Sequence, residues 1–323
     1  MRLVIRCDAD ATIGLGHAGR ALALAEELGE RLGVEPCFVA RPDPLLTTFL
    51  SSRAVRLEPL EGDGYAADAV LDAADGDAVV VSDTGELDEA ALDAVAAAGV
   101  RHLVVDDFPR AGRWPCDVVV NPNLGADASA YGSGPRVGAG PRYALLRREI
   151  QALSERPLEP RERGRRVLVC LGGGSWRGRA VDLLGALAAL DEAEVRATVE
   201  GLVVPAGIEA VPRSSLPEQL AWADVGVLSG GVVKYEAAAA GLPMLLLAAV
   251  EHQRTVAEAF AAAGVAEYAG LLATAEVEAV AARVLQLLDR PDERLALARR
   301  GRALVDGRGA ERAADLLLTV PGA

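Results

Sequence analysis

The residues best suited to chemistry near the start of the chain lie in a glycine-rich segment that contains a histidine. Residues 7–20 contain Gly14, Gly16 and His17, and they join an apolar, strand-like run to a run with helical apolar spacing. A loop between a strand and a helix presents backbone N–H groups and the positive end of the helix dipole to an anion. His17 is suited to act as a general base there, because histidine exchanges a proton near neutral pH.

The same segment also fits two other interpretations. Its glycines match the dinucleotide pattern Gly-x-Gly-x-x-Gly at Gly14, Gly16 and Gly19. That pattern places the first glycine at the strand end and an acidic residue at the end of the second strand. Here residues 7–13 intervene and Arg41 ends the second predicted strand, so we favour an anion-binding loop. The structural alternative, a tight turn in which His17 only caps the helix, stays open.

The composition limits the class of protein. A chain of 323 residues with 51% hydrophobic and 25% charged residues is long enough for two soluble α/β domains. The net charge of -14 argues against a nucleic-acid partner, and no apolar run has the length of a membrane anchor. The four scattered cysteines form no C-x-x-C pair, and no signal peptide opens the chain. These features predict a cytoplasmic protein with reduced thiols and no metal site.

Strand-like and helix-like segments alternate in two blocks. Residues 154–164 are charged, contain two prolines and separate the blocks, so they are predicted to be a linker. The predicted domains are therefore residues 1–153 and residues 165–323. Within each block, continuous apolar strands indicate a parallel sheet that helices cover on both faces. Such sheets bind ligands beyond the carboxyl ends of their strands.

Carboxylates follow three predicted strands of the first domain. Asp8 and Asp10 come after the first strand, Asp83 after another, and Asp106 and Asp107 after a third. The ends of parallel strands share one edge of the sheet, so these side chains are predicted to meet there. For each carboxylate the structural alternative is a helix N-cap or a solvated loop position.

Two loops of the second domain also contain glycines, and each loop follows a predicted strand and precedes a predicted helix. The first loop lacks the Lys-Ser/Thr ending of a Walker loop, and close packing of helix on strand is its structural alternative. The second loop opens a helix in which Glu236 is placed to bind both ribose hydroxyls, although an exposed helix residue is the alternative. The nucleotide-binding residues predicted in this domain are Gly173, Gly174, Ser175, Ser229, Gly230, Gly231, Val232, Glu236 and Gln253.

These segments resemble the nucleotide-sugar hydrolase of pseudaminic acid biosynthesis and its spore-coat polysaccharide relatives. Those proteins share the GT-B fold with MurG, the transferase that forms lipid II. The resemblance spans nearly the full length and implies two Rossmann-like domains that face each other across a cleft, with the nucleotide held mainly by the second. The matching stretches are residues 6–8, 13–17, 116–123, 140–149, 172–174 and 229–236, with Arg20 and Gln253.

The resemblance also implies a reaction. The residue that matches the family's histidine is His17, which activates water to attack the anomeric carbon with inversion and expel a nucleoside diphosphate, without a metal or other cofactor. We expect Asp8 to orient His17, and Asp83 to contact His17 or the sugar. UDP is the expected nucleotide, as part of the substrate and as product. The expected sugar-binding residues are Arg20, Asn123 and Lys234.

The chain departs from the hydrolase pattern in two places. An aspartate usually follows the second-domain glycines, where this chain has Ser175, and a tyrosine usually follows soon after the position of Asp83. The sequence thus predicts an NDP-sugar hydrolase of a carbohydrate or secondary-metabolite pathway without specifying the sugar. A glycosyltransferase with a soluble acceptor and a non-catalytic nucleotide-sugar binding protein are the alternatives. A monomer is expected.

Overall fold

The computed structural model describes residues 1–10, 13–171, 177–198 and 203–320. The chain divides into two compact units. One comprises Met1–Arg147 and Arg308–Ala323, and the other comprises Arg148–Gly307. Within the described ranges, no helix has both the length and the apolar character needed to cross a membrane.

A parallel sheet forms the centre of the first unit. Its described strands lie in the order β3-β2-β1-β4-β5-β6-β7. Every residue of the strand at Ala78–Asp83 is buried, which explains its run of valines in place of an alternating pattern. The strands are β1 (Arg2–Cys7), β2 (Pro36–Ala40), β3 (Arg56–Pro59), β4 (Ala78–Asp83), β5 (Arg101–Val105), β6 (Val118–Asn121) and β7 (Arg136–Ala139).

Helices connect these strands. They are α1 (Gly16–Leu32), α2 (Pro44–Ser51), α3 (Ala67–Ala74) and α4 (Glu89–Ala97). Helix α1 buries leucines and alanines at helical spacing, among them Leu24 and Leu28, in the core under the sheet. It ends at Gly33, which adopts the left-handed conformation that closes many helices. The α1 helix is therefore anchored along its length, with its first turn at the carboxyl edge of the sheet.

The second unit has a parallel sheet in the described order β10-β9-β8-β11-β12-β13. Its strands are β8 (Arg166–Cys170), β9 (Glu194–Ala197), β10 (Ile208–Ala210), β11 (Val225–Ser229), β12 (Met244–Ala248) and β13 (Glu267–Leu271). Its helices are α5 (Arg148–Ser154), α6 (Arg177–Ala188), α7 (Leu216–Trp222), α8 (Val233–Ala240), α9 (Arg254–Ala262), α10 (Val277–Leu288) and α11 (Pro291–Leu304). Each unit therefore has its own sheet and its own core, as the two alternating blocks of the sequence predict.

The last helix, α12 (Gly309–Leu318), belongs to the first unit. Ala313, Ala314 and Leu317 are buried in the same core as the apolar side of α1. The predicted second domain, residues 165–323, therefore extends too far. Helical spacing shows that α12 has an apolar face, but it does not show which of two cores receives that face.

The predicted linker, residues 154–164, also differs from expectation, because these residues are part of the second unit. Arg161 donates a hydrogen bond of 2.5 Å to Asp224, and the Gly164 amide donates to the Leu288 carbonyl at 2.8 Å. The charges that suggest a solvated linker are thus used in contacts with the surface of one unit.

Candidate functional site

The carboxyl ends of three neighbouring strands bring the predicted carboxylates of the first unit together. Cys7 of β1 pairs with Asp83 of β4, and Ser82 of β4 pairs with Val104 of β5. The residues that follow these strands therefore lie at one edge of the sheet, as predicted. Helix α1 begins beside them, and its second residue is His17.

His17 is joined to Asp83 rather than to Asp8. Its Nδ1 atom lies 2.7 Å from Asp83 Oδ1. The Asp83 side chain is fully buried, whereas one third (33%) of the His17 side chain is exposed. One end of the ring is therefore held inside the protein, and the other end is open to a ligand.

Arg20, one turn after His17, holds the same carboxylate with two nitrogens. Its Nε donates to Asp83 Oδ2 at 2.7 Å and its Nη2 donates to Oδ1 at 2.8 Å. Its Nη1 donates to Asp107 Oδ1 at 2.9 Å. The expected sugar-binding residue thus has its guanidinium occupied by two carboxylates.

The charge of Asp83 determines how the His17 ring carries its proton. Burial by itself raises the pKa of Asp83, but the charges of Arg20 and His17 and their hydrogen bonds outweigh it and lower the pKa to about 2. Asp83 is therefore a carboxylate near neutral pH and only accepts hydrogen bonds. It follows that His17 Nδ1 carries the hydrogen and Nε2 has the free lone pair, which is the form of a general base.

Asp8 does not orient His17, so this expectation is wrong. Arg6 lies 2.6 Å from Asp8 Oδ2, and Arg41 donates to Asp8 through both its backbone N–H and its side chain. Glu86 pairs with the same two arginines. The Asp8 carboxylate belongs to this separate ion-pair cluster, which connects the ends of β1 and β2 with the loop after β4.

Asn123 extends the network around Asp107. Its Nδ2 donates to the Asp107 carbonyl at 3.0 Å, so the structure places this predicted sugar-binding residue next to the site. Tyr131, which the sequence does not single out, donates to Asp106 at 2.7 Å. Burial raises the pKa of Asp106, and the neighbouring charge of Asp107 adds to the effect. No sequence spacing marks Tyr131, because it reaches the site from a short helical turn between β6 and β7.

A cavity of about 520 Å³ opens beside these groups in the first unit. His17, Asp83 and Asp107 are part of its wall, and Phe108, whose surface is 65% exposed, lies at its edge. The other residues that line it include Asp8, Ile13, Arg20, Arg41, Thr84, Gly85, Glu86, Leu87, Asp106, Arg110 and Trp114. The volume is that of a ligand pocket for a small molecule.

The two glycines predicted to bind an anion, Gly14 and Gly16, lie at the start of α1. Gly14 has a φ of 75°, a conformation that favours glycine, and its amide donates to the Asp10 carbonyl. Gly16 is the first residue of α1, and Leu15 before it has no polar side-chain atom to cap the helix. Ala11 and Thr12 of this loop lie outside the described residues.

His102 is a buried residue of the sheet. Its Nε2 lies 2.8 Å from Ser82 Oγ, which in turn lies 2.7 Å from the Tyr65 hydroxyl. Burial lowers the pKa of His102 to about 3, so the ring is neutral in the folded protein. These contacts and its burial indicate a structural role for His102.

The second unit presents its glycine loop at the end of β11. Ser229 ends that strand, and Val232 precedes α8. A Cβ atom added to Gly230 would lie 2.9 Å from Gln253 Cβ and 3.0 Å from the Gln253 carbonyl, and one added to Gly231 would lie 3.9 Å from Gln253 Nε2. The structure therefore places Gln253, which is predicted to bind the nucleotide, beside the two glycines. Gly173, Gly174 and Ser175 lie outside the described residues.

Lys234 and Glu236 both lie in α8 and are largely buried, with exposures of 3% and 8%. Lys234 Nζ donates to the carbonyls of Gly230 and Gly231 at 2.8 and 3.0 Å. Its ammonium therefore binds the backbone of the glycine loop, which differs from the expected contact with a sugar. Glu236 is placed in the first turn of α8, directly after the loop.

Comparison with known proteins gives one relative by sequence. No protein-family model matches the chain. The spore coat polysaccharide biosynthesis protein SpsG of Bacillus subtilis (strain 168) is 30% identical over 197 residues, which are 56% of this chain. The match spans 58% of SpsG, less than two thirds of its length.

Comparison of structures extends over almost the whole chain. MurG of Acinetobacter baumannii gives a TM-score of 0.62 at 17% identity, over 99% of this chain and 100% of MurG. HepE of Anabaena, solved in complex with UDP, gives a TM-score of 0.57 at 15% identity, over 99% and 100% of the two chains. The order of the strands in the two units agrees with this likeness. The chain therefore has the GT-B fold, with two Rossmann-like α/β units.

Proposed function

We propose that this protein hydrolyses an NDP-sugar, with UDP as the nucleotide, and releases the free sugar and the nucleoside diphosphate. The observation that carries the proposal is the pairing of His17 with Asp83. A buried carboxylate fixes the Nδ1–H form of the ring, and the partly exposed imidazole lines a cavity of about 520 Å³. This is the arrangement in which a histidine takes a proton from an attacking group.

In the proposed reaction, a water molecule in the cavity attacks the anomeric carbon. His17 Nε2 takes a proton from that water as the new C–O bond forms. The bond between the anomeric carbon and the phosphate oxygen breaks, and its electron pair leaves with the nucleoside diphosphate. Attack on the face opposite the leaving group inverts the configuration. The role of Asp83 is to stabilise the imidazolium that forms, while remaining ionised.

The leaving group is assigned to the glycine loop of the second unit. The first amides of α8 have no capping side chain at Val232, and the positive end of the helix dipole favours phosphate. Glu236, in the first turn of α8, is our candidate for the ribose hydroxyls. The resemblance of the loop to nucleotide-sugar enzymes and the likeness of the fold to the UDP complex of HepE support this assignment.

A glycosyltransferase is the second candidate, because the cavity beside His17 has room for an acceptor as well as for water. In that reaction Nε2 takes the proton from an acceptor hydroxyl, and the acceptor oxygen replaces water at the anomeric carbon. The same residues serve both reactions, so the nucleophile must be identified by experiment.

The test is release of nucleoside diphosphate from a panel of UDP-, dTDP-, GDP- and CMP-sugars in water enriched in heavy oxygen, without an acceptor. We expect release from a UDP-sugar, with the label on the sugar and none on the phosphate. Label on the phosphate would contradict attack at the anomeric carbon. Release that requires an added alcohol or sugar would favour the transferase. Binding of nucleotide-sugar without release under either condition would leave a binding protein.

A further inference from the structure

We propose that Arg20 is a positioning residue of this site: it holds the ionised Asp83 and offsets its charge, and by doing so it favours the uncharged form of the His17 ring, which accepts a proton. The inference deepens the proposed function and rests on it, because it assigns Arg20 to the general base instead of to the sugar. The contacts of Arg20, its burial and the order of charges around His17 carry the argument.

The contacts of Arg20 leave it little capacity for a ligand. Only 6% of its surface is exposed. Three of its nitrogens donate to carboxylates, two to Asp83 and one to Asp107. A guanidinium held in this way is fixed in the plane of the Asp83 carboxylate, since a bidentate pair restrains both orientation and distance. The carboxylate that orients His17 is therefore itself held by Arg20.

The charges around His17 alternate in sign. Asp83 Oδ1 lies 2.7 Å from Nδ1 and favours a charged ring, whereas Arg20 Nη2 lies 3.1 Å from the same nitrogen and opposes it. A carboxylate favours the imidazolium over the neutral ring, and the imidazolium has no lone pair for a proton from water. With the Arg20 charge beside it, Asp83 still accepts the Nδ1–H bond but contributes little net charge.

Other charged groups face the cavity and must be compared with Arg20. Asp107 lies on the far side of the guanidinium and adds a second negative charge, so removal of Arg20 exposes His17 to two carboxylates. The remaining ionisable groups in the wall are Asp8, Arg41, Glu86, Asp106 and Arg110. Asp8, Arg41 and Glu86 pair with one another, which limits their net effect on the ring. Arg20 is the cation in contact with the His17 ring nitrogen.

The test is the titration of the His17 ring, followed by proton NMR of the full chain and assigned with a His17→Gln variant. In Arg20→Gln, we expect the midpoint of the His17 titration to move upward by about one pH unit or more, since a positive charge in contact with the ring is lost. The acidic limb of the kcat/KM profile should move upward by the same amount. A midpoint unchanged within roughly 0.3 units overturns the proposal.

Two further variants separate charge from geometry. Arg20→Gln combined with Asp83→Asn removes both charges and keeps an amide oxygen for Nδ1–H, so its midpoint should lie well below that of Arg20→Gln. Arg20→Lys keeps the charge but not the bidentate fork, so it should keep the midpoint of the native protein and lose kcat about tenfold. These two variants decide the question if Arg20→Gln does not fold. A midpoint about one unit above native in Arg20→Lys then overturns the proposal.

Arg31→Gln is the matched control. Arg31 lies on the same helix and pairs with Glu27 and Asp315, away from the carboxyl edge of the sheet. Its removal should leave the His17 titration unchanged, and an equal upward shift in this variant would contradict a local effect of Arg20. Because the titration needs no substrate, a failure of this inference is distinguishable from a failure of the proposed reaction.

Discussion

In the first unit, ionised side chains surround His17 at the carboxyl edge of the sheet, whereas in the second unit the described loop after β11 is built on two glycines. Around His17, Asp83 binds the histidine ring and Arg20 binds both Asp83 and Asp107. These hydrogen bonds are 2.7 to 2.9 Å long. At Gly230, the Cβ and carbonyl of Gln253 occupy the space that a side chain would need, and the ammonium of Lys234 binds the Gly230 carbonyl. This contrast supports the roles that we propose for them, proton transfer at the first edge and phosphate binding at the second.

This difference predicts different sensitivities. A site made of buried charges depends on pH and on every partner of each charge, because an unpaired buried charge is costly. A site formed by glycine backbone is sensitive to added side-chain volume. A single methyl group on the glycine fills the gap through which a ligand or a loop approaches. Variants in the first unit should therefore change the dependence on pH and charge, and variants in the second should act through added volume.

The largest effect is expected for His17→Ala. Loss of the proposed general base should lower kcat by about 10²- to 10⁴-fold. The dissociation constant for the nucleotide, which we assign to the second unit, should change little. Turnover assays and calorimetric titration with UDP measure the two quantities separately. A fall in kcat of less than about tenfold would contradict the role of His17. A large loss of nucleotide affinity would contradict the assignment of the nucleotide to the second unit.

The next effect concerns acid stability and follows from His102. Its pKa is lowered to about 3 in the folded protein, so the unfolded chain binds a proton that the folded chain does not, and stability falls as pH falls below the ordinary histidine value. From about pH 7 to about pH 4 this loss amounts to roughly 3 kcal/mol. Denaturant titrations at both pH values should show it.

The control for this prediction is His102→Asn, which retains a polar group beside Ser82 and removes the titrating ring. The variant should lose less stability between the two pH values than the native protein does. An equal loss in both would assign the acid lability to other groups. Amide exchange should locate the native loss in β4 and β5 rather than in β11 and β12.

A smaller effect is expected for Gly230→Ala in the second unit. The new Cβ would lie 2.9 Å from Gln253 Cβ and 3.0 Å from its carbonyl oxygen, so the loop must shift, at a cost of about 1–3 kcal/mol. Thermal unfolding and UDP binding measure the result. Gly19→Ala is the matched control in the first unit, since nothing lies within 4 Å of its added methyl group. It should stabilise α1 by about 0.5–1 kcal/mol, and a loss of stability would contradict the open space there.

The smallest effect is expected for Glu236→Gln. Replacing a carboxylate by an amide at the ribose should weaken UDP binding about tenfold with little change in kcat, because a charge-assisted hydrogen bond becomes a neutral one. Calorimetry compares it with Glu218→Gln, an exposed position in α7 that should bind as the native protein does. Unchanged affinity in Glu236→Gln would remove Glu236 from the nucleotide site.

Strands buried on both faces were visible in the sequence, whereas polar or short strands were not. The second predicted strand, which ends in Arg41, corresponds to β2 at Pro36–Ala40, because its apolar residues are continuous. In the strand β7 at Arg136–Ala139 only Gly138 is buried, so this strand carries no comparable apolar signal. Pattern recognition thus finds the centres of the sheets more readily than their edges.

Sequence proximity was a poor guide to the partners within the site. Asp8 is nine positions from His17 and was the expected orienting residue, but the actual partner, Asp83, is 66 positions away. Arg20 was expected at the sugar, and it binds Asp83 across 63 positions. Hydrogen bonds depend on distances of about 3 Å, which exist only after β1 and β4 have paired.

The sequence by itself determined the two alternating blocks, the glycine loops after strands and the single histidine at the start of α1. These features follow from periodic burial and from local backbone requirements, which are written in neighbouring residues. The sequence left Asp83 to contact either His17 or the sugar. The tertiary structure decided that Asp83 rather than Asp8 binds His17, that Arg20 binds Asp83, that Lys234 binds the carbonyls of a loop, and that α12 packs in the first core. Those outcomes depend on which distant segments come into contact, because charge and packing energies act over a few ångströms of space and not along the chain.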